Sequence, residues 1–175
     1  ELENYDGLKQ KAEQELEESR ERLDLLCEKL SERRKQAASG LAEKIRRSLL
    51  DLNFLDVEFE ISFRKLDKYT AHGFDEVEFL ISTNPGESVK PLGMVASGGE
   101  LSRIMLAIKT VLADTDDVPT LIFDEIDTGI SGRTAQKVSE KLAVISGSRQ
   151  VICITHLPQI AAMADYHFEM AKEPK

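Results

Sequence analysis

The sequence has no tryptophan, only five prolines in 175 residues, and only two cysteines, Cys27 and Cys153. The cysteines lie far apart, in segments of different character, and match no metal or redox spacing. They read as reduced cytosolic thiols, with Cys153, inside an apolar run, placed in the core. No apolar run approaches the length of a membrane span and no secretory signal opens the chain, so a membrane partner is excluded and a cytoplasmic setting is expected. Positive charge is also in deficit: the net charge is −9, which argues against a nonspecific nucleic-acid binder acting through bulk charge. Three basic groups, Arg33-Arg34-Lys35, Lys44 with Arg46 and Arg47, and Arg64 with Lys65 and Lys68, remain available to touch phosphate, but solvated faces are the simpler reading. The hydrophobic fraction, 41%, is enough for a packed core. The opening glutamate sits inside a helical pattern, as expected of a piece of a longer protein.

Residues 2 to 50 form one long helical pattern. Leu2, Tyr5, Leu8, Ala12, Leu16, Leu23, Leu26, Leu30, Ala37, Leu41, Ile45 and Leu49 recur mostly at steps of three, four or seven, with Glu, Lys and Arg between them. An unbroken helix of that length would span about 75 Å. A narrow apolar stripe with charged flanks predicts a coiled-coil strand; the alternative is two ordinary helices split near Gly40.

Composition then changes. "VEFEISF" (57–63) and "DEVEFLIST" (75–83) alternate as half-buried strands do, with His72 and Gly73 in a turn between them. "TNPGESVKPLG" (83–93) reads as a loop. "MVASGGELSRIMLAIK" (94–109) places two glycines against the start of a strong amphipathic helix. "PTLIFDE" (119–125) reads as a strand buried on both faces of a parallel sheet. A helix over about 131–146 and the strand "QVICITH" (150–156) follow, then a short helix opened by Pro158 and a possible last strand, "DYHFEMA" (165–171). This rhythm is α/β architecture, in which ligands gather at the carboxyl ends of the strands.

Asp124, Glu125 and His156 occupy such ends. Asp124 has the chemistry to hold magnesium, usually through water, and Glu125 to orient or deprotonate an attacking water. His156 offers a hydrogen bond to a terminal phosphate. Ser97 and Glu100 have the S-x-x-E spacing of a capping box. Gly98 and Gly99 leave backbone N–H groups bare at a helix N-terminus, where the dipole favours an anion. Each feature alone has a structural explanation; together, in this order, they point to one place.

The motifs resemble those of the ABC-type ATPases. "SGGELSR" is similar to their signature motif, "LIFDE" to the Walker B strand with its glutamate, "IDTGISG" to the D-loop and "ITH" to the switch histidine. Over about residues 55–175 the chain most resembles the RecN family of SMC-like bacterial DNA-repair ATPases. The resemblance implies an SMC-type head lobe at 51–175 carried on a returning coiled-coil arm at 1–50. It implies ATP and magnesium as ligands, and a homodimer of heads that sandwiches ATP. Ser97, Gly98, Gly99 and Glu100 would then meet the nucleotide of the second head in trans, and Asp127 would communicate across the dimer. Asp124 would serve magnesium, Glu125 would activate water, and His156 would sense the terminal phosphate. DNA would be a partner of the whole protein, and the setting cytoplasmic and nucleoid-associated.

One departure is large: no G-x-x-x-x-G-K-[ST] loop is present. Gly93 and Gly98 have the right separation, but Gly99 and Glu100 stand where lysine and a hydroxyl residue belong. The resemblance implies that an N-terminal Walker A lobe encoded elsewhere completes the head, and that this chain alone is inactive. Two alternatives stand: the head of another SMC- or RecF-type ABC ATPase, and a non-enzymatic coiled-coil interaction module.

Overall fold

A computed structural model of the chain describes residues 2–95 and 97–171, with side chains from residue 6 onward; Leu2 and Tyr5 of the apolar stripe therefore lie outside the described side chains. Helix α1 runs unbroken through Leu2–Asp51, past Gly7 and Gly40. Strands β1 (Glu58–Thr70), β2 (Gly73–Ser82) and β3 (Lys90–Pro91) form a sheet in the order β1-β2-β3, with β2 and β3 antiparallel. The short β3 lies in the stretch expected to be loop. Helix α2 (Gly98–Val111), β4 (Thr120–Phe123), α3 (Gly132–Ser146), β5 (Gln150–Cys153) and α4 (Pro158–Ala161) complete the chain. Strands β4 and β5 pair in parallel, Leu121 opposite Val151 and Phe123 opposite Cys153.

The end of α1 has a specific cause. Asn53 adopts φ 69°, the left-handed conformation that asparagine tolerates better than most residues. Phe54 N–H then donates to Leu49 C=O (3.2 Å) and Asn53 N–H to Leu50 C=O (3.0 Å). These are the two closing bonds of a Schellman motif, accompanied by burial of Leu49 and Phe54.

The residues fall into two compact units. The first comprises Glu1–Gly40 and Ile61–Glu78. Within it, residues 6–23 of α1 are exposed, and Leu8, Leu16, Leu23 and Leu26 remain open to solvent. Farther along, the helix buries Cys27, Ser31 and Ala38 rather than Leu26, Leu30 and Ala37. The displacement has a polar origin: Ser31 Oγ and an Arg34 guanidinium N–H donate to the Asp75 carboxylate at 2.7 and 2.9 Å, and that side chain is only 2% exposed. Gly73, at φ 90°, opens β2; a Cβ there would lie 3.4 Å from Leu30 Cδ2. Burial would raise the Asp75 carboxyl, but the Ser31 and Arg34 hydrogen bonds and the Arg34 and Lys35 charges hold it below the usual carboxylate range.

The second unit comprises Leu41–Glu60 and Phe79–Lys175. Ile45, Leu49, Leu52, Ile81, Ile104, Leu106, Ile126, Val138 and Ile145 are its largest fully buried apolar side chains. Helix α3 packs against α2, α4 and β5. Its Lys141 donates to Ser48 Oγ (3.0 Å) and Asp51 (3.1 Å). Strand β4 is covered on one face only: Leu121 and Phe123 are buried, whereas Ile122 is 67% exposed, as are Ile152 and Ile154 in part. Burial on both faces, expected from the apolar run, is thus not met among the described residues, because no described element covers the Ile122 side of the sheet. Residues 165–171 form no strand either; Phe168 and Met170 are exposed. An alternating pattern becomes a strand only by pairing with an edge, and among the described residues neither sheet pairs with it.

The cysteines reverse the expectation: Cys27 is buried and Cys153 only half-buried. The basic clusters are mostly satisfied locally. Arg46 and Arg47 both bind Glu43, Arg64 pairs with Glu76, and Lys65 lies over the Phe74 ring at 4.3 Å.

Candidate nucleotide-facing site

Helix α2 begins where the capping box predicts. Ser97 is the N-cap, with extended backbone, and its hydroxyl accepts from Glu100 N–H at 3.4 Å. The two glycines serve different needs. Gly99 is buried, and a Cβ on it would lie 2.9 Å from Glu125 C=O and from Thr128 Cβ. Only a residue without a side chain lets α2 meet the loop after β4 this closely. Gly98 is exposed, and a Cβ there would overlap the Glu125 carboxylate.

That loop is the second component. Strand β4 ends at Phe123. Asp124 is exposed; one carboxylate oxygen accepts from Glu125 N–H (2.9 Å), and its carbonyl accepts from Ser102 Oγ (2.6 Å). Glu125 has φ 56°, a conformation that non-glycine residues adopt at a cost of about 1–3 kcal/mol and that concentrates at functional sites. Beyond it the chain turns, with Thr128 N–H donating to Glu125 C=O (3.0 Å). Arg103 of α2 holds the turn from beneath, one guanidinium nitrogen donating to the carbonyls of Ile126 (3.2 Å) and Thr128 (2.8 Å).

The third component joins the second through Asp127, which is 4% exposed. Its carboxylate accepts from Thr155 Oγ1 (2.5 Å) and His156 N–H (2.8 Å) and lies 3.1 Å from His156 Nδ1. The imidazole itself is largely exposed. His156 stands three residues past the end of β5 rather than at the strand's last position. Burial would raise the Asp127 carboxyl, but bonds from Thr155 and His156 and the charge of His156 hold it low. An aspartate 3.1 Å from Nδ1 favours the tautomer and ring orientation that direct a proton on Nδ1 toward it. Close by in sequence, burial and then the negative charges of Asp127 and Asp124 push the Cys153 thiol up to about 11.

The residues proposed from sequence at 97–100, 124–127 and 156 are therefore connected within one unit: Gly98 and Gly99 abut Glu125, and Asp127 grips His156. Asp127 does so facing inward. Ser102, Arg103 and Thr155 complete the arrangement and were not foreseen. Of these, Arg103 carried a signal, since it falls one turn from Gly99, Leu106 and Ala107, all buried, and a charge on a buried helix face demands a partner.

The chemistry of the donors fits part of a magnesium–nucleotide site. Among the described residues no three His, Cys, Asp or Glu side chains are grouped to hold a metal ion. Asp124 supplies one exposed carboxylate, which suits a cation that keeps several waters and takes its remaining oxygens from phosphate and from other protein segments. The N-terminus of α2 suits an anion, provided the Glu125 carboxylate moves off Gly98.

No family model matches the chain. It is 48% identical to the DNA repair protein RecN of Halalkalibacterium halodurans, over 98% of this chain and 31% of that protein. It is 44% identical to the DNA repair protein RecN of Bacillus subtilis, over 99% of this chain and 33% of that protein. The chain thus spans about a third of the length of the curated relatives it matches. Among solved structures it resembles the Smc head domain with an extended coiled coil, bound to the C-terminal domain of ScpA, from Pyrococcus furiosus. That match has a TM-score of 0.52 at 21% identity and covers 93% of this chain and 50% of the other. With an SMC-head fold and this identity along nearly its whole length, the chain is similar to RecN DNA repair proteins over about a third of their length.

Proposed function

We propose that this chain is the C-terminal lobe, residues 51–175, and part of the arm, residues 1–50, of an SMC-like ATPase head that works in repair of DNA double-strand breaks. The observation that carries the reading is the continuous contact from Gly98–Gly99 through Glu125 and Asp127 to His156. The uncovered sheet face of Ile122, Ile152 and Ile154 supports it: a parallel sheet is ordinarily covered on both sides, and the relatives are about three times as long as this chain. We assign that face to the lobe that brings the Walker A loop.

In the assembled head, Asp124 would hold magnesium, which would supply charge neutralisation at the phosphates. Glu125 turns from Gly98 toward the attacking water and takes its proton. The water oxygen bonds to the γ-phosphorus as the bond to the bridging oxygen breaks, leaving ADP and phosphate. His156, oriented by Asp127, donates a hydrogen bond to the γ-phosphate. Ser97 and the N–H groups at Gly98 and Gly99 meet the γ-phosphate of ATP held by a second copy of the head, and Glu100 keeps the helix start in place. DNA is the partner of the whole protein, in a cytoplasmic, nucleoid-associated setting.

The test supplies the remainder of the polypeptide in trans and measures phosphate release from ATP. The chain alone should release none. The pair should hydrolyse ATP, with Glu125→Gln and Ser97→Arg each lowering turnover about 100-fold or more. Turnover by the isolated chain that Glu125→Gln abolishes would overturn the reading, as would turnover by the pair indifferent to both substitutions.

A further inference from the structure

We propose that Arg103 is a positioning residue that transmits the placement of helix α2 to His156, a role that rests on the ATPase reading above. Arg103 is 7% exposed, and no carboxylate accepts from it among the described residues. A buried cation without a carboxylate partner is expensive unless its donors are used. Here one guanidinium nitrogen donates to the carbonyls of Ile126 and Thr128, the two residues that flank Asp127. Phe54 backs the guanidinium, its ring centroid 5.8 Å from Cζ. Asp127 is thus fixed from both sides along the main chain, and its own carboxylate fixes Thr155 and His156. The path from the start of α2 to the histidine is a chain of hydrogen bonds, each between 2.5 and 3.2 Å, and Arg103 is its one link on α2. Ser102, the preceding residue, makes a parallel tie to the Asp124 carbonyl. A shift of α2 is therefore felt at Asp127 and His156 together.

The test uses the whole protein containing this segment, with Arg103→Met, Arg103→Lys and, as a control, Glu125→Gln. Steady-state ATP hydrolysis gives kcat and KM, and hydrogen exchange follows the Thr128, Ile130 and His156 amides, which bond to Glu125, Asp127 C=O and the Asp127 carboxylate. For Arg103→Met, kcat should fall about tenfold or more with KM within about threefold, because geometry of the reacting groups is lost while nucleotide binding is kept. Those three amides should exchange faster while those of β5 keep their protection. Arg103→Lys, which retains donors on a less suitable head group, should recover part of both effects. A kcat within about twofold of wild type for Arg103→Met overturns the proposal. So does faster exchange spread evenly over the unit, which marks a purely structural role. If Glu125→Gln leaves hydrolysis intact, the ATPase reading itself falls, and the exchange result still decides whether Arg103 holds the loop.

Discussion

A methyl group added at each of the adjacent glycines in turn should have opposite consequences, although both precede the same helix. At Gly99 the new Cβ meets backbone: Glu125 C=O at 2.9 Å, Thr128 C=O at 3.2 Å, and Thr128 Cβ at 2.9 Å. None of these is the free end of a flexible side chain, so α2 or the loop must shift, at about 1–3 kcal/mol for overpacking. Replacing glycine by alanine in a helix returns about 0.5–1 kcal/mol. The net is a destabilisation of about 1–2 kcal/mol, or about 2–8 °C in Tm for a chain of this size. At Gly98 the obstacle is the end of the Glu125 side chain, which can rotate away. Gly98→Ala should then be at least as stable as wild type. Thermal unfolding followed by circular dichroism, with urea titration as a second measure, compares the three proteins. The reasoning fails if Gly99→Ala melts at or above wild type, or if Gly98→Ala loses as much as Gly99→Ala.

Four further outcomes follow from the structure. Asp75→Asn should destabilise the chain by about 1–3 kcal/mol, because it strips the charge from a buried acceptor of Ser31 and Arg34; urea unfolding measures it, and an unchanged midpoint would refute it. Since the Asp75 and Asp127 carboxyls are held low, their stabilisation is complete above the unfolded value of about 3.9 and disappears as pH falls through the folded values; acid titration should show a shallower loss below about pH 4 for Asp75→Asn. Cys153, pushed up to about 11, should be about a thousandth thiolate at pH 8; its alkylation should quicken about tenfold per pH unit up to pH 10, and a rate at pH 8 matching a free cysteine would contradict the burial and charge invoked. In this chain, Ile122→Asp should weaken binding of the remaining lobe supplied in trans about tenfold or more, and unchanged affinity by calorimetry would show that this face is not covered.

Periodic features were the ones legible in advance. The apolar stripe and charged flanks of α1, the alternation in β1 and β2 and the Ser97–Glu100 spacing are local rules, and each led to the element observed. Residues 97–100, 124–127 and 156 were identified from their chemistry at element ends. What escaped was non-local. Arg103 and Thr155 act through hydrogen bonds spanning more than twenty residues, to which no periodicity corresponds. The inward-facing Asp127 escaped for the same reason. Which face of α1 is buried between residues 24 and 38 depends on Asp75, an acceptor 41 to 44 residues away. The two-sided burial of β4 and the strand at 165–171 were misjudged differently: an apolar or alternating pattern states what a segment needs, not whether this stretch of chain supplies it.

The central claim, that Ser97 of one head and Glu125 of another serve the same ATP, is most directly tested by complementation. Whole-protein variants Ser97→Arg and Glu125→Gln are each assayed alone for ATP hydrolysis, then mixed and assayed again. A dimer with one of each retains one site with both an intact Ser97 and an intact Glu125, so random mixing of independent sites should restore about a quarter of wild-type turnover. No recovery on mixing two variants that bind ATP and dimerise would contradict it, and would place both residues on the same nucleotide within one chain, where Glu125 already lies against Gly98.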